Sequence, residues 1–150
     1  MTRSAPQAGA TNRAPEVREM FDQLAPRYDL ANRVLSLGLD QHWRRKAIRR
    51  LEDKATGRVL DLCAGTLDLS RQLLEAGADS VVAVDFSAEM LNAGRTKIHK
   101  DAPIEIIQAD ARELPLPDAS VDAIICGFGL RNVPELPRAI AECARVLKPG

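Results

Sequence analysis

Apolar positions change their period once along this chain. From Pro15 to Lys54 they recur at helical spacing. Pro15 suits a first helical position and opens a helix to about Leu24, where Pro26 interrupts it. A second segment runs from Tyr28 to Leu37 and stops at Gly38. A third starts at Asp40, a good N-cap, and runs to about Lys54. It carries Trp43, Ala47, Ile48 and Leu51 on one face, with Arg44, Arg45, Lys46, Arg49 and Arg50 around the rest. After Gly57 the pattern becomes short continuous runs: Arg58 to Cys63, Val81 to Asp85, Ile104 to Ile107 and Val121 to Cys126. Helical patterns separate or follow them. One passes through Leu69, Leu73 and Leu74 to Gly77, and one is capped by Ser87 and reaches about Lys100. The last, after Pro134, carries Leu136, Ile140, Cys143, Ala144 and Leu147.

Runs that alternate with helices predict a parallel sheet with helices on both faces, an α/β fold. The runs are rich in Val and Ile without polar alternation, as strands buried on both sides are. Composition adds exclusions. Lys plus Arg and Asp plus Glu are 21 each, so the net charge is zero, against the basic footprint of a nucleic-acid binder. The charge is split, however: +5 over residues 1–58 and −5 over 59–150. No apolar run approaches the ~20 residues that span a bilayer. The opening MTRSAPQAGATN lacks the apolar stretch of a secretory signal and reads as a disordered tail over residues 1–13. Three cysteines are too few for a disulfide framework and fit a reducing compartment. Cys63 and Cys126, at the ends of two strands expected to be neighbours, read as small pocket-lining residues rather than reactive thiols. His42 and His99 share no ligand spacing with them, so no metal is expected.

Ligands of open parallel sheets bind beyond the carboxyl ends of the strands. There the first run delivers Gly65, which admits close backbone approach, followed by the free N–H groups of a helix start. The second delivers Asp85, a carboxylate suited to ribose hydroxyls. The third delivers Asp110 and Ala111, suited to an exocyclic amine and a ring nitrogen. Three such features in this order describe a nucleoside pocket. A glycine series for pyrophosphate is missing, with Leu67 where a second glycine would stand, so S-adenosylmethionine fits better than NAD. An NAD-dependent oxidoreductase and a non-catalytic protein that kept the fold remain the alternatives from other classes.

The segments VLDLCAGTLDL, VVAVDFSAEML, QADARELPLPDASVD and RVLKPG resemble the successive motifs of class I S-adenosylmethionine-dependent methyltransferases. YDLANRVLSLGLDQHW and FGLRNV resemble the UbiE family, the C-methyltransferases of menaquinone and ubiquinone biosynthesis. The resemblance implies a Rossmann-like cofactor domain over 58–150 and an N-terminal helical cap over 14–57 that folds over the substrate. It places Gly65 and Thr66 at the methionine end of the cofactor, Asp85 on the ribose, Asp110 and Ala111 at the adenine, and Gly127 beside the methyl donor. Arg131, Asn132 and Tyr28 fall at the acceptor, with Asp29, Tyr28 and His42 as lesser candidates for a base. The sequence departs from the family pattern at Ala31, Asp40, Leu67 and Gly127. The implied acceptor is a lipophilic quinol; another small phenol or a sterol is the neighbouring alternative.

A quinol in a membrane gives the basic helix two readings. One is a solvated face with Trp43 in the core, which the spacing favours; the other is contact with anionic headgroups. The implied place is the cytoplasm, with peripheral contact at the inner face of the membrane. The final RVLKPG reads like a helix end about to enter a further strand. The C-terminal strands of the class are therefore expected to be missing and the fourth strand left as an apolar edge.

Overall fold

A computed structural model describes residues 15, 16, 19, 20 and 39–150. The expected tail, most of the first helix and the whole second segment, with Tyr28, Asp29 and Ala31, lie outside the described residues. Helix α1 spans Leu39–Arg49. The pattern that predicts helix to Lys54 is continued by a 3₁₀ turn, Glu52–Thr56. There Arg50, Leu51 and Lys54 bond carbonyls three residues back, so the chain tightens on its way into the sheet.

The four runs form one parallel sheet: β1 Arg58–Leu62, β2 Ser80–Asp85, β3 Ile104–Gln108 and β4 Ala123–Cys126, in the order β3-β2-β1-β4. Helices α2 Asp68–Glu75, α3 Ala88–Arg95 and α4 Leu136–Val146 complete the described α/β elements. Alternation along the strands sorts two layers. Val59, Val81, Ala123 and Ile125 face Ile48 of α1 and Leu69 and Leu73 of α2. Ala83 meets Leu67 and Leu91, the latter on α3. Leu60, Leu62, Val82 and Val84 face the other way, against Ala139 and Val146 of α4 and the proline-rich loop at Leu114 and Leu116. Helices thus cover both faces.

Two elements are shorter than the sequence pattern suggests, and a third is less buried. Helix α3 ends at Arg95 because Lys97 and Ile98 bond three residues back instead of four. Strand β4 starts at Ala123 because the Asp122 carboxylate turns aside to accept the Arg58 N–H, while Val121 bridges to Leu147. Strand β3, a sheet edge, is only half buried and exposes Glu105 and Gln108, unlike the fully buried strand its Ile-rich run implies. The proline-rich loop is clipped to α4 by Arg145, which donates to Glu142, Asp118 and the carbonyls of Leu114 and Leu116. That hydrogen bonding holds the Glu142 carboxyl down at about 2.

Candidate functional site

The carboxyl ends of the four strands stand level. Leu62 is opposite both Val84 and Cys126, and Asp85 opposite Gln108. The loop after β1 is bent sharply, with Cys63, Gly65 and Leu67 all at positive φ (57°, 55° and 63°). Leu67 therefore occupies the conformation a second glycine would favour. A left-handed leucine costs roughly 1–2 kcal/mol. Its complete burial against Ala83 and Leu91 returns about as much. The departure from the family pattern at Leu67 is thus accommodated by packing.

Asp85, at the end of β2, clamps this loop. One carboxylate oxygen accepts the Gly65 N–H at 2.8 Å and the other the Ser87 N–H at 2.9 Å. Ser87 in turn caps α3 by accepting from the Met90 N–H. A Cβ at Gly65 would lie 3.2 Å from Met90 Cε, so the loop surface is bare backbone there. Beyond β3, Asp110 is held by Arg112, whose guanidinium and backbone N–H all donate to its carboxylate. Those bonds keep the Asp110 carboxyl below its usual value. The carboxylate expected to accept from an exocyclic amine is thus engaged by an arginine that the sequence reading did not single out. Ala111 beside it is buried.

After β4 the chain passes Gly127 and Phe128 into a 3₁₀ turn, Gly129–Asn132, that carries Arg131 and Asn132. A Cβ at Gly127 would meet Leu69 at 3.4 Å, so a serine there fits with a small adjustment. Gly65, Thr66, Asp85, Asp110, Ala111, Gly127, Arg131 and Asn132 all line one cavity of about 570 Å³. Tyr28 lies outside the described residues. His42 is exposed on α1 and is not among the lining residues.

Helix α1 corrects the sequence reading twice. Trp43, expected in the core, is 47% exposed and lines the cavity, edge-to-face with Phe128 at 6.1 Å between centroids. Arg44, expected on a solvated face, is only 14% exposed and also lines the cavity. The core-facing side of α1 is instead carried by Ile48, with Leu51 just beyond its end. Asp40 sits in the first turn rather than at the cap and is buried.

Asp61 is a further cavity residue to which the sequence reading gave no role. It is 1% exposed in the centre of the sheet and accepts a 2.6 Å hydrogen bond from Ser70 Oγ. Its other oxygen has no hydrogen-bond partner. Burial raises its carboxyl to about 7, against the pull of Ser70 and of nearby Arg44. A charged residue inside an otherwise apolar run is the signal that could have found it. Cys63 and Cys126 are indeed neighbours. Their shared sulfur hydrogen bond, reinforced by burial, holds the proton on Cys63. Among the described residues no group of three His, Cys, Asp or Glu could hold a metal ion.

A parallel sheet in this order, with a nucleoside-sized cavity at its carboxyl edge and an acidic residue ending the second strand, is the fold of class I S-adenosylmethionine-dependent methyltransferases. A solved S-adenosylmethionine-dependent methyltransferase from Mesorhizobium loti superposes with a TM-score of 0.63 at 30% identity, over 70% of this chain and 49% of that one. The profile of the ubiE/COQ5 methyltransferase family matches residues 8–150, and the chain belongs to that family. It is 39% identical to the ubiquinone/menaquinone biosynthesis C-methyltransferase UbiE of Geotalea daltonii, over 93% of this chain and 62% of that protein. It is 44% identical to the demethylmenaquinone methyltransferase of Clavibacter sepedonicus, over 95% and 58%. The chain thus spans about three fifths of the length of these relatives.

Proposed function

We propose that the protein takes part in S-adenosylmethionine-dependent C-methylation of a prenylated quinol, with demethylmenaquinol as acceptor and a ubiquinone precursor as the second choice. The supporting observation is that eight residues nominated from the sequence converge on one cavity in the order the sheet dictates. Asp110 and Ala111 follow β3, Asp85 ends β2, Gly65 and Thr66 follow β1, and Arg131 and Asn132 follow β4. Three strand spacings of ~4.8 Å give a path of roughly 14 Å, enough for base, ribose and an amino-acid tail in a row. The residues also fit the group chemically. Gly65 keeps side-chain bulk off the cavity wall, and a carboxylate with two lone pairs per oxygen can serve both the loop clamp and ribose hydroxyls.

When bound, S-adenosylmethionine supplies an electrophilic methyl group. The protein's own part is alignment, exclusion of water and stabilisation of charge on the acceptor. A quinol ring carbon is nucleophilic once a hydroxyl is deprotonated, and a phenol pKa near ~10 leaves little phenolate at neutral pH. Arg131 would stabilise that phenolate, and Asn132 would orient the hydroxyl or a water. Met20, Trp43 and Phe128, each about half exposed, give the cavity an apolar rim suited to a lipophilic acceptor. The exposed Arg45, Lys46, Arg49 and Arg50 of the first helical region would face anionic headgroups.

Calorimetric titration tests this reading. S-adenosylhomocysteine is expected to bind, NADH is not, and Asp85→Ala is expected to abolish the binding. A folded sample that ignores S-adenosylhomocysteine would overturn the proposal. Methyl transfer to a short-tail demethylmenaquinol, set against a simple phenol, tests the acceptor.

A further inference from the structure

We propose that Arg44 holds the carboxylate of the cofactor's amino-acid tail, an inference that rests on the methyltransferase reading above. Arg44 projects from α1 and lines the cavity beside the end of β1 and the start of α2. Its side chain is largely buried, and its Nε–H is buried with no hydrogen-bond acceptor. Its nearest carboxylates stand at 3.6 Å (Asp68) and 3.9 Å (Asp40), ion-pair distances too long for hydrogen bonds. A guanidinium presents a planar fork of donors that matches a carboxylate two bonds at a time. Here such a fork is taken out of water, held by its own helix, and left with a donor unmet.

The position selects the anion. Across the sheet the cavity runs from Asp110, through Asp85, to the loop after β1 and then to Arg131 after β4. Arg44 is at the third station, where the tail lies if base and ribose occupy the first two. An acceptor phenolate would be one station further, beside Arg131. The charges around Arg44 are mixed. Asp40 and Asp68 flank it, Lys97 shares Asp68 at 3.2 Å, and Asp61 lies within its electrostatic reach. Such a setting repels a polyanion such as pyrophosphate and suits a zwitterion, whose ammonium finds carboxylates while its carboxylate finds the guanidinium.

Two ligands that differ only in the carboxylate decide the matter: S-adenosylhomocysteine and S-adenosyl-3-thiopropylamine, its decarboxylated form. Calorimetry on the protein and on Arg44→Gln should show S-adenosylhomocysteine weakened about 10–100-fold, the worth of a charge-assisted bond, with the decarboxylated ligand nearly unaffected. Arg44→Lys, which keeps the charge and loses the fork, should fall between. Equal losses for both ligands would mark Arg44 as merely structural and overturn the proposal, as would unchanged binding of S-adenosylhomocysteine. If the unsubstituted protein binds neither ligand, the methyltransferase reading itself fails. If only binding of a quinol analogue weakens in Arg44→Gln, the residue serves the acceptor instead, and the proposal is wrong.

Discussion

A carboxyl group in the middle of a sheet layered by helices leaves its mark on stability. Asp61 is raised from 3.8 to about 7, first by burial. The folded protein therefore binds a proton more readily than the unfolded chain between those values. The stabilisation linked to that proton is complete below pH 4 and is lost as the pH rises through 7, on the order of 4 kcal/mol in all. The depressed carboxyls of Asp110, Asp122 and Glu142 act the other way, but their contribution is already complete above about pH 5. Urea midpoints should thus fall between pH 5 and pH 7.5 in the unsubstituted protein. Asp61→Asn keeps an acceptor for Ser70 and should flatten that slope. Equal slopes in the two proteins would show that Asp61 does not titrate in this window.

At the scale of elements, one close approach fixes the loop after β1. Gly94 of α3 lies against the backbone of Thr66, where a Cβ would stand 2.7 Å from the Thr66 carbonyl atoms and 2.6 Å from Leu67 Cγ. Helix propensity alone makes Gly→Ala favourable by about 1 kcal/mol. The contact reverses the sign. Gly94→Ala should destabilise by roughly 1–3 kcal/mol and weaken S-adenosylhomocysteine binding, whereas Asn92→Ala on the exposed side of the same helix should be near neutral. Denaturation curves of the two variants check this. That contact was invisible in the sequence, since an isolated glycine in a helical pattern carries no record of what it touches. The strands were legible because a parallel sheet buried on both faces writes continuous apolar runs. The positions after them followed, because such sheets place loops at one edge. Arg44 and Trp43 were not legible. They sit side by side on α1, where helical spacing cannot tell solvent from cavity. Asp61 was passed over because a run is read by its majority, although the exception was its most informative residue.

The whole chain divides its charge as it divides its structure. The basic excess belongs to residues 1–58 and the acidic excess to the part that contains the sheet. No helix among the described residues is long and apolar enough to cross a membrane. The headgroup contact proposed above would therefore rest on surface cations, each worth about 1 kcal/mol near an anionic bilayer. With Arg44 withdrawn into the cavity, α1 itself keeps three exposed cations, Arg45, Lys46 and Arg49, with Arg50 just beyond its end. Reversing all three to Glu should lower co-sedimentation with phosphatidylserine or phosphatidylglycerol vesicles by about 100-fold or more. Unchanged partitioning would assign the helix to solvent alone.

Trp43 is the one tryptophan of the chain, and it stands at the mouth of the cavity with Phe128 against it. The protein therefore carries its own optical probe on the wall of that cavity. Changes in indole emission report on the surroundings of this one residue, half exposed on the cavity wall. Occupancy can then be followed in dilute solution, without a label and on the timescale of mixing.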